Sequence, residues 1–176
     1  MIRIPPWRQC LILTFSLLIG FSAGIGIKFV WENTAFQPYS WVSDQGPIIL
    51  NCYGDEFSEV QMLRAVDFWV LRGHKFGFYE HNPPDEVCDI PNLEGMIILR
   101  KGNPYKMKDN VLAYTTRRTS FGQMVSATIT YRPGSQNLMY INEHELGHAL
   151  GYAHHDEVGH IMHSLYDKMS GSFWVP

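Results

Sequence analysis

Residues 144–154 read H-E-L-G-H-A-L-G-Y-A-H. His144 and His148 stand four apart, so on a helix both imidazoles leave one face and can grip one metal ion. Glu145 projects beside that face, where it can hold a water and take its proton. Gly151 permits a sharp exit from the helix, and His154 then returns as a third imidazole. Three neutral nitrogen ligands with the fourth position open describe a catalytic zinc site rather than a structural one. Such ligands leave the ion's full charge available, which lowers the pKa of a bound water to about 7 and polarises a carbonyl. The set therefore predicts hydrolysis at a carbonyl by one Zn2+ ion on His144, His148 and His154, with Glu145 as general base.

These residues need a rigid frame, and the apolar pattern supplies one. Residues 47–53 read as a first strand, broken by Gly54-Asp55, with Asp55 or Ser58 capping a helix to about Leu71. On that helix Val60, Leu63, Val66, Phe68, Val70 and Leu71 fit a helical stripe imperfectly, and Trp69 widens it. Residues 76–80 alternate as a second strand, 81–94 form a proline-bearing loop, and 96–100 are a buried strand. Residues 111–117 and 124–131 make two further strands joined by a turn at 120–122. Ser135 is then expected to cap a helix over 136–150, with Leu138, Met139, Ile141, Leu146, Ala149 and Leu150 on its core side. Gly147 in mid-helix costs about 1 kcal/mol relative to alanine, which close packing or space near the metal would explain. The order is βαβββ followed by the motif helix and an irregular tail, an α+β arrangement in which helices cover the sheet.

The chain has 176 residues, 45% of them hydrophobic, a net charge of −3 and no basic block, so nucleic acid is not an expected partner. Arg3 and Arg8 precede an uncharged stretch from Gln9 to Ile27, which Lys28 closes, flanked by Trp7 and Trp31. A membrane-spanning helix needs about 17–25 such residues, so 1–31 is expected to be either a signal anchor held in the membrane through 9–30 or a cleaved signal peptide. The arginines keep the N-terminus inside, which places the rest as a single-pass protein on the exported side or as a secreted one. Residues 32–46 read as a linker and 47–176 as the catalytic domain. Cys52 and Cys88 are then exported, where they either form a disulfide or stay as buried thiols.

The run from His144 to His154 resembles the zinc signature of the metzincin peptidases, and its spacing is similar to that of their matrixin branch. Met162, eight residues beyond His154 in G-H-I-M-H-S, resembles the family's Met-turn, a methionine lying beneath the metal. Upstream, R-A-V-D-F-W-V, G-M-I-I-L-R and V-L-A-Y-T are similar to the first helix, third strand and substrate-binding strand of matrixins, so the likeness covers about residues 47–166. It implies a twisted mixed β-sheet packed on two helices, with a cleft along an antiparallel edge strand. It implies a zinc-dependent endopeptidase acting on protein or peptide substrates held extended by the backbone of Val111, Leu112, Ala113 and Tyr114. Tyr166 would stand on the pocket wall beyond the scissile bond, where an apolar residue is expected. There are departures from the family. His155 follows the third histidine where matrixins usually carry serine, and the loops at 101–110 and 118–123 contain no histidine, so further structural zinc and calcium sites are not expected. His155, His160 and His163 are not expected to be ligands. The alternative function is a non-catalytic zinc module that binds peptides or a partner.

Overall fold

The computed structural model describes residues 40–175. The expected anchor or signal at 1–31 and the first part of the expected linker lie outside these residues; among the described residues no helix is long and apolar enough to cross a membrane. Residues 40–46 differ from the linker expectation, because they pack on the sheet. The Met124 N–H donates to the Ser40 carbonyl at 2.8 Å, the Val42 N–H donates to the Met124 carbonyl at 3.1 Å, and Trp41 is buried in the core. Gly46 is held at φ +80° against the Lys75 carbonyl, which a Cβ would approach to 2.1 Å. A segment of polar and turn-forming residues thus carries one large apolar side chain whose burial ties it down.

A five-stranded sheet is built from β1 (Ile48–Cys52), β2 (Tyr79–Glu80), β3 (Met96–Lys101), β4 (Ala113–Ser120) and β5 (Gln123–Tyr131), in the order β2-β1-β3-β5-β4. β2, β1, β3 and β5 run parallel and β4 pairs antiparallel with β5. The composition of each strand follows its place. In β3, Ile97, Ile98 and Leu99 are all fully buried, as a central parallel strand covered on both faces requires. β4 is the edge strand, and its second half carries Arg117 and Arg118, charges that discourage pairing with another chain at that end. β4 and β5 meet in a two-residue hairpin turn with φ positive at both Phe121 (+48°) and Gly122 (+76°), the type I′ geometry that suits strand twist.

One helix lies where expected, with a different face inward. α1 (Glu59–Val70) is capped by Ser58, whose hydroxyl accepts from the Gln61 N–H at 3.4 Å. Its buried stripe is Met62, Ala65 and Trp69, spaced three and four apart, whereas Val60, Leu63, Val70 and Leu71 are exposed. Trp69 sets this rotation, because its ring is wholly buried and its Nε1–H donates to the Glu143 carbonyl at 2.8 Å. A one-turn helix, α2 (Asp85–Cys88), falls inside the stretch read as a loop and brings Cys88 to β1, where a disulfide joins it to Cys52.

The motif helix is shorter than its pattern predicts. α3 spans Ile141–Ala149, preceded by a 3-10 turn at Ser135–Asn137, extended backbone at Leu138 and a left-handed Tyr140 at φ +66°. Ser135 does not cap it. Its hydroxyl instead donates to the Leu112 carbonyl at 2.6 Å, with the Arg132 carbonyl 2.8 Å away, so the chain is pinned beside the start of β4 before the helix can form. Of the expected core residues, Ile141, Leu146, Ala149 and Leu150 are buried, but Met139 is exposed because it stands outside the helix. Close packing accounts for Gly147: a Cβ there would lie 2.3 Å from Met162 Sδ and 2.6 Å from Trp69 Cζ2.

Two stability measurements test this frame. Gly147→Ala should lose about 1–3 kcal/mol in urea unfolding despite alanine's higher helix propensity, since overpacking outweighs it; an unchanged or raised midpoint would contradict the packing account. Replacing Cys52 and Cys88 together by serine should cost about 3–4 kcal/mol from loop closure across their 36-residue separation, and equal midpoints for the two proteins would contradict it.

Candidate metal centre

His144 and His148 leave one face of α3, Gly151 breaks the helix at φ +106°, and His154 returns to them. One ring nitrogen from each of the three lies within 4.8 Å of the others, and His148 Nε2 and His154 Nε2 are 3.1 Å apart. Ligands about 2.05 Å from a tetrahedral zinc ion would be about 3.3 Å apart, so the spacing suits the ion.

The far side of each of the two helical rings decides which nitrogen faces the cluster. His144 Nδ1 lies 2.8 Å from the Ile161 carbonyl, and His148 Nδ1 lies 2.9 Å from the Tyr152 carbonyl. A carbonyl only accepts, so each Nδ1 carries the proton and each Nε2 presents a lone pair inward. Burial holds the rings neutral: it lowers the pKa of His144 to about 4 and that of His148 to about 3, and it lowers that of His154 as well. Neutral imidazole is the metal-binding form. The donors present therefore fit a zinc ion.

His155, His160 and His163 are wired the opposite way. Their Nδ1 atoms accept backbone N–H groups two residues ahead: Glu157 at 3.4 Å, Met162 at 3.0 Å and Leu165 at 2.9 Å. These rings pin turns in the segment that follows the helix. Met162 is buried against Gly147, in the helical turn between His144 and His148, and its carbonyl accepts from the His155 N–H at 2.9 Å.

Trp69 braces the centre from below. It stacks on Tyr152, with ring centroids 4.9 Å apart, and the Tyr152 hydroxyl bonds His74 Nε2 at 2.8 Å. The carbonyl that orients His148 is thereby held through an aromatic side chain that α1 supplies. Phe173 packs edge-on against both Trp69 and Tyr152, which draws the tail into the same cluster.

Glu145 is almost wholly buried on the β4 side of α3. Burial raises its pKa to about 7, against the opposing effect of a hydrogen bond from Thr115. Thr115 Oγ1 donates to Glu145 Oε2 at 2.6 Å and also lies 3.2 Å from the Glu145 carbonyl. Sequence reasoning did not single out Thr115. Its signal was strand alternation, which puts it on the same face as Ala113.

Two depressions flank the cluster, one of about 280 Å3 along Ala113 to Arg117 and one of about 230 Å3 reaching Tyr166 and Met169. Ala113, Glu145 and His154 line both. Val111 and Leu112 differ from expectation, because they precede β4 and their carbonyls are occupied. Arg132 Nε donates to the Val111 carbonyl at 2.9 Å, and the Leu112 carbonyl receives the Arg132 N–H at 2.8 Å as well as the Ser135 hydroxyl. Leu112 faces β5, and the register pairs Tyr114 with Thr130, so strand alternation turns the backbone groups of Ala113, Thr115 and Arg117 to the free edge.

The matrixin family pattern matches residues 60–174 of the chain. This chain belongs to the matrixin family. Comparison with curated proteins finds no match. The membership places the cluster in a family of zinc metallopeptidases, and the matched span runs from α1 through the whole histidine segment to the tail. In this matrixin, the stretch after Met162 forms a 3-10 turn at Tyr166–Lys168 and a bridge between His160 and Ser172.

The raised Glu145 pKa carries a sign. A carboxyl that ionises near 4.5 when unfolded and near 7 when folded favours the native state while protonated, and that advantage is lost as pH rises through about 7. With metal removed by a chelator, Glu145→Gln should therefore raise Tm by several degrees at pH 8 and change it little at pH 5. An equal shift at both pH values would contradict the burial account.

Proposed function

We propose that the chain is a zinc-dependent endopeptidase that cuts extended protein substrates, with His144, His148 and His154 as metal ligands and Glu145 as general base. The observation that carries this reading is the position of Glu145. Its buried carboxyl is held from one side by Thr115 and lines both depressions together with His154. When bound, zinc supplies the Lewis acid that polarises the scissile carbonyl and acidifies water. Glu145 Oε2 is engaged by Thr115, so Oε1 remains to orient a water, accept its proton and pass that proton to the leaving amine. A pKa near 7 suits a group that must do both.

The free edge of β4 offers the Ala113 and Thr115 backbone groups to an extended substrate by strand addition, and Tyr166 walls the second depression. Met162 fits the Met-turn role through its contact with Gly147 beneath the ligand-bearing turn. The disulfide between Cys52 and Cys88 agrees with action in an exported compartment, whether the chain is secreted or anchored through residues 9–30.

The purified protein should cleave casein or a fluorogenic peptide pool, lose that activity to a zinc chelator, and lose it in Glu145→Ala while still binding zinc. A folded, zinc-loaded protein that cuts nothing would overturn the proposal and point to a peptide-binding module. Thr115→Val should lower kcat by roughly ten- to a hundredfold with KM and zinc content little changed, as expected for loss of a hydrogen bond to a charged group, while Thr115→Ser keeps most of the rate. Equal kcat in the valine variant would remove Thr115 from the proton-transfer step.

A further inference from the structure

The depression beyond the metal cluster is expected, by family likeness, to take an apolar side chain. Its walls include Leu112, Ile141, Tyr166 and Met169, which agree with that, but they also include His163. His163 is buried, with 5% of the residue exposed. Its Nδ1 accepts the Leu165 N–H at 2.9 Å, so in the neutral ring the proton sits on Nε2. His160 has the same wiring, and there the Nε2–H donates to the Trp174 carbonyl at 3.0 Å. Among the described residues, His163 Nε2 has no such acceptor, nor is it among the side-chain atoms sealed from solvent without a partner. His163 lines the depression, and its Nε2 keeps contact with solvent. A substrate side chain that fills the depression would displace water from this donor, which favours a ligand with an acceptor at that point and penalises one without.

We infer that His163 is a specificity-determining residue, whose Nε2–H hydrogen-bonds an acceptor-bearing side chain, glutamine above leucine, on the residue following the scissile bond. The inference rests on the endopeptidase reading for the direction of the substrate. Glutamine has the reach of a medium aliphatic chain, so its methylenes can lie against Ile141 and Met169 while its carbonyl oxygen meets the imidazole. Glutamate offers the same acceptor, but the Glu145 carboxyl lines the same space and opposes a second negative charge.

The test is a set of peptides identical except for leucine, glutamine or glutamate after the scissile bond. They are assayed by kcat/KM on the full-length zinc-loaded protein and on His163→Phe. The wild type should prefer glutamine to leucine and to glutamate, and the glutamine-to-leucine ratio should fall about tenfold in the variant. A ratio that stays within twofold would overturn the inference while leaving the peptidase reading intact.

A second arm keeps His163 and needs no turnover. In full-length Glu145→Gln labelled with 15N-histidine, the glutamine peptide should move the His163 Nε2–H resonance and the leucine peptide should not. Equal response to both peptides, or a His163 protonated on Nδ1, would overturn the inference. If no peptide is cut, the peptidase reading fails and this binding measurement still decides the role of His163.

Discussion

The missing side chain at Gly147 is the constraint on which the rest of the centre depends. Because nothing projects from that turn of α3, Met162 and the Trp69 ring can both press against the helix backbone between His144 and His148. Three distant segments, α1, α3 and the stretch after His154, are brought to one point. From there Trp69 reaches in two directions, donating to the Glu143 carbonyl and stacking on Tyr152. The carbonyls of Ile161 and Tyr152, on either side of this contact, orient the two helical imidazoles. Metal-ligating histidines need such acceptors to fix their tautomer, and here those acceptors are backbone groups positioned by packing.

The same economy of backbone bonding sorts five of the six histidines between residues 144 and 163. In His144 and His148, Nδ1 gives a proton to a carbonyl and Nε2 is left as a donor of electrons to a cation. In His155, His160 and His163, Nδ1 takes a backbone N–H, which serves the turn and puts the proton on the outer nitrogen. Side-chain groups that bond the backbone two residues on stabilise turns in the way aspartate and asparagine do. The sequence shows these five rings as equivalent; the chain path makes them two kinds.

Much of the sheet was legible because strand and helix periods differ. The apolar run Met96–Arg100, the capped helix after Ser58 and the hairpin around Gly122 all fall within a residue or two of their expected places. The errors have one physical origin. Apolar residues were counted on the helix faces without knowing what would face them. On α1 that count favoured Val60, Leu63, Val70 and Leu71, but one wholly buried tryptophan turned the helix toward Met62 and Ala65. Before α3, the bond from Ser135 to Leu112 crosses between separate segments, and it cuts short a helix that local propensity alone would have lengthened. Trp41 was read into a linker for the same reason, since its partners lie far along the chain.

Spacing along the chain suffices to bring His144, His148 and His154 together, because a helical turn and a glycine exit are local geometry. It also suffices for the family, whose pattern spans most of the described chain. Packing alone decides what surrounds the cluster. It chose Thr115 as the partner of Glu145, turned Ala113 rather than Leu112 to the open edge, and left His163 facing the second depression. Those outcomes depend on contacts between segments tens of residues apart, and no local period encodes them.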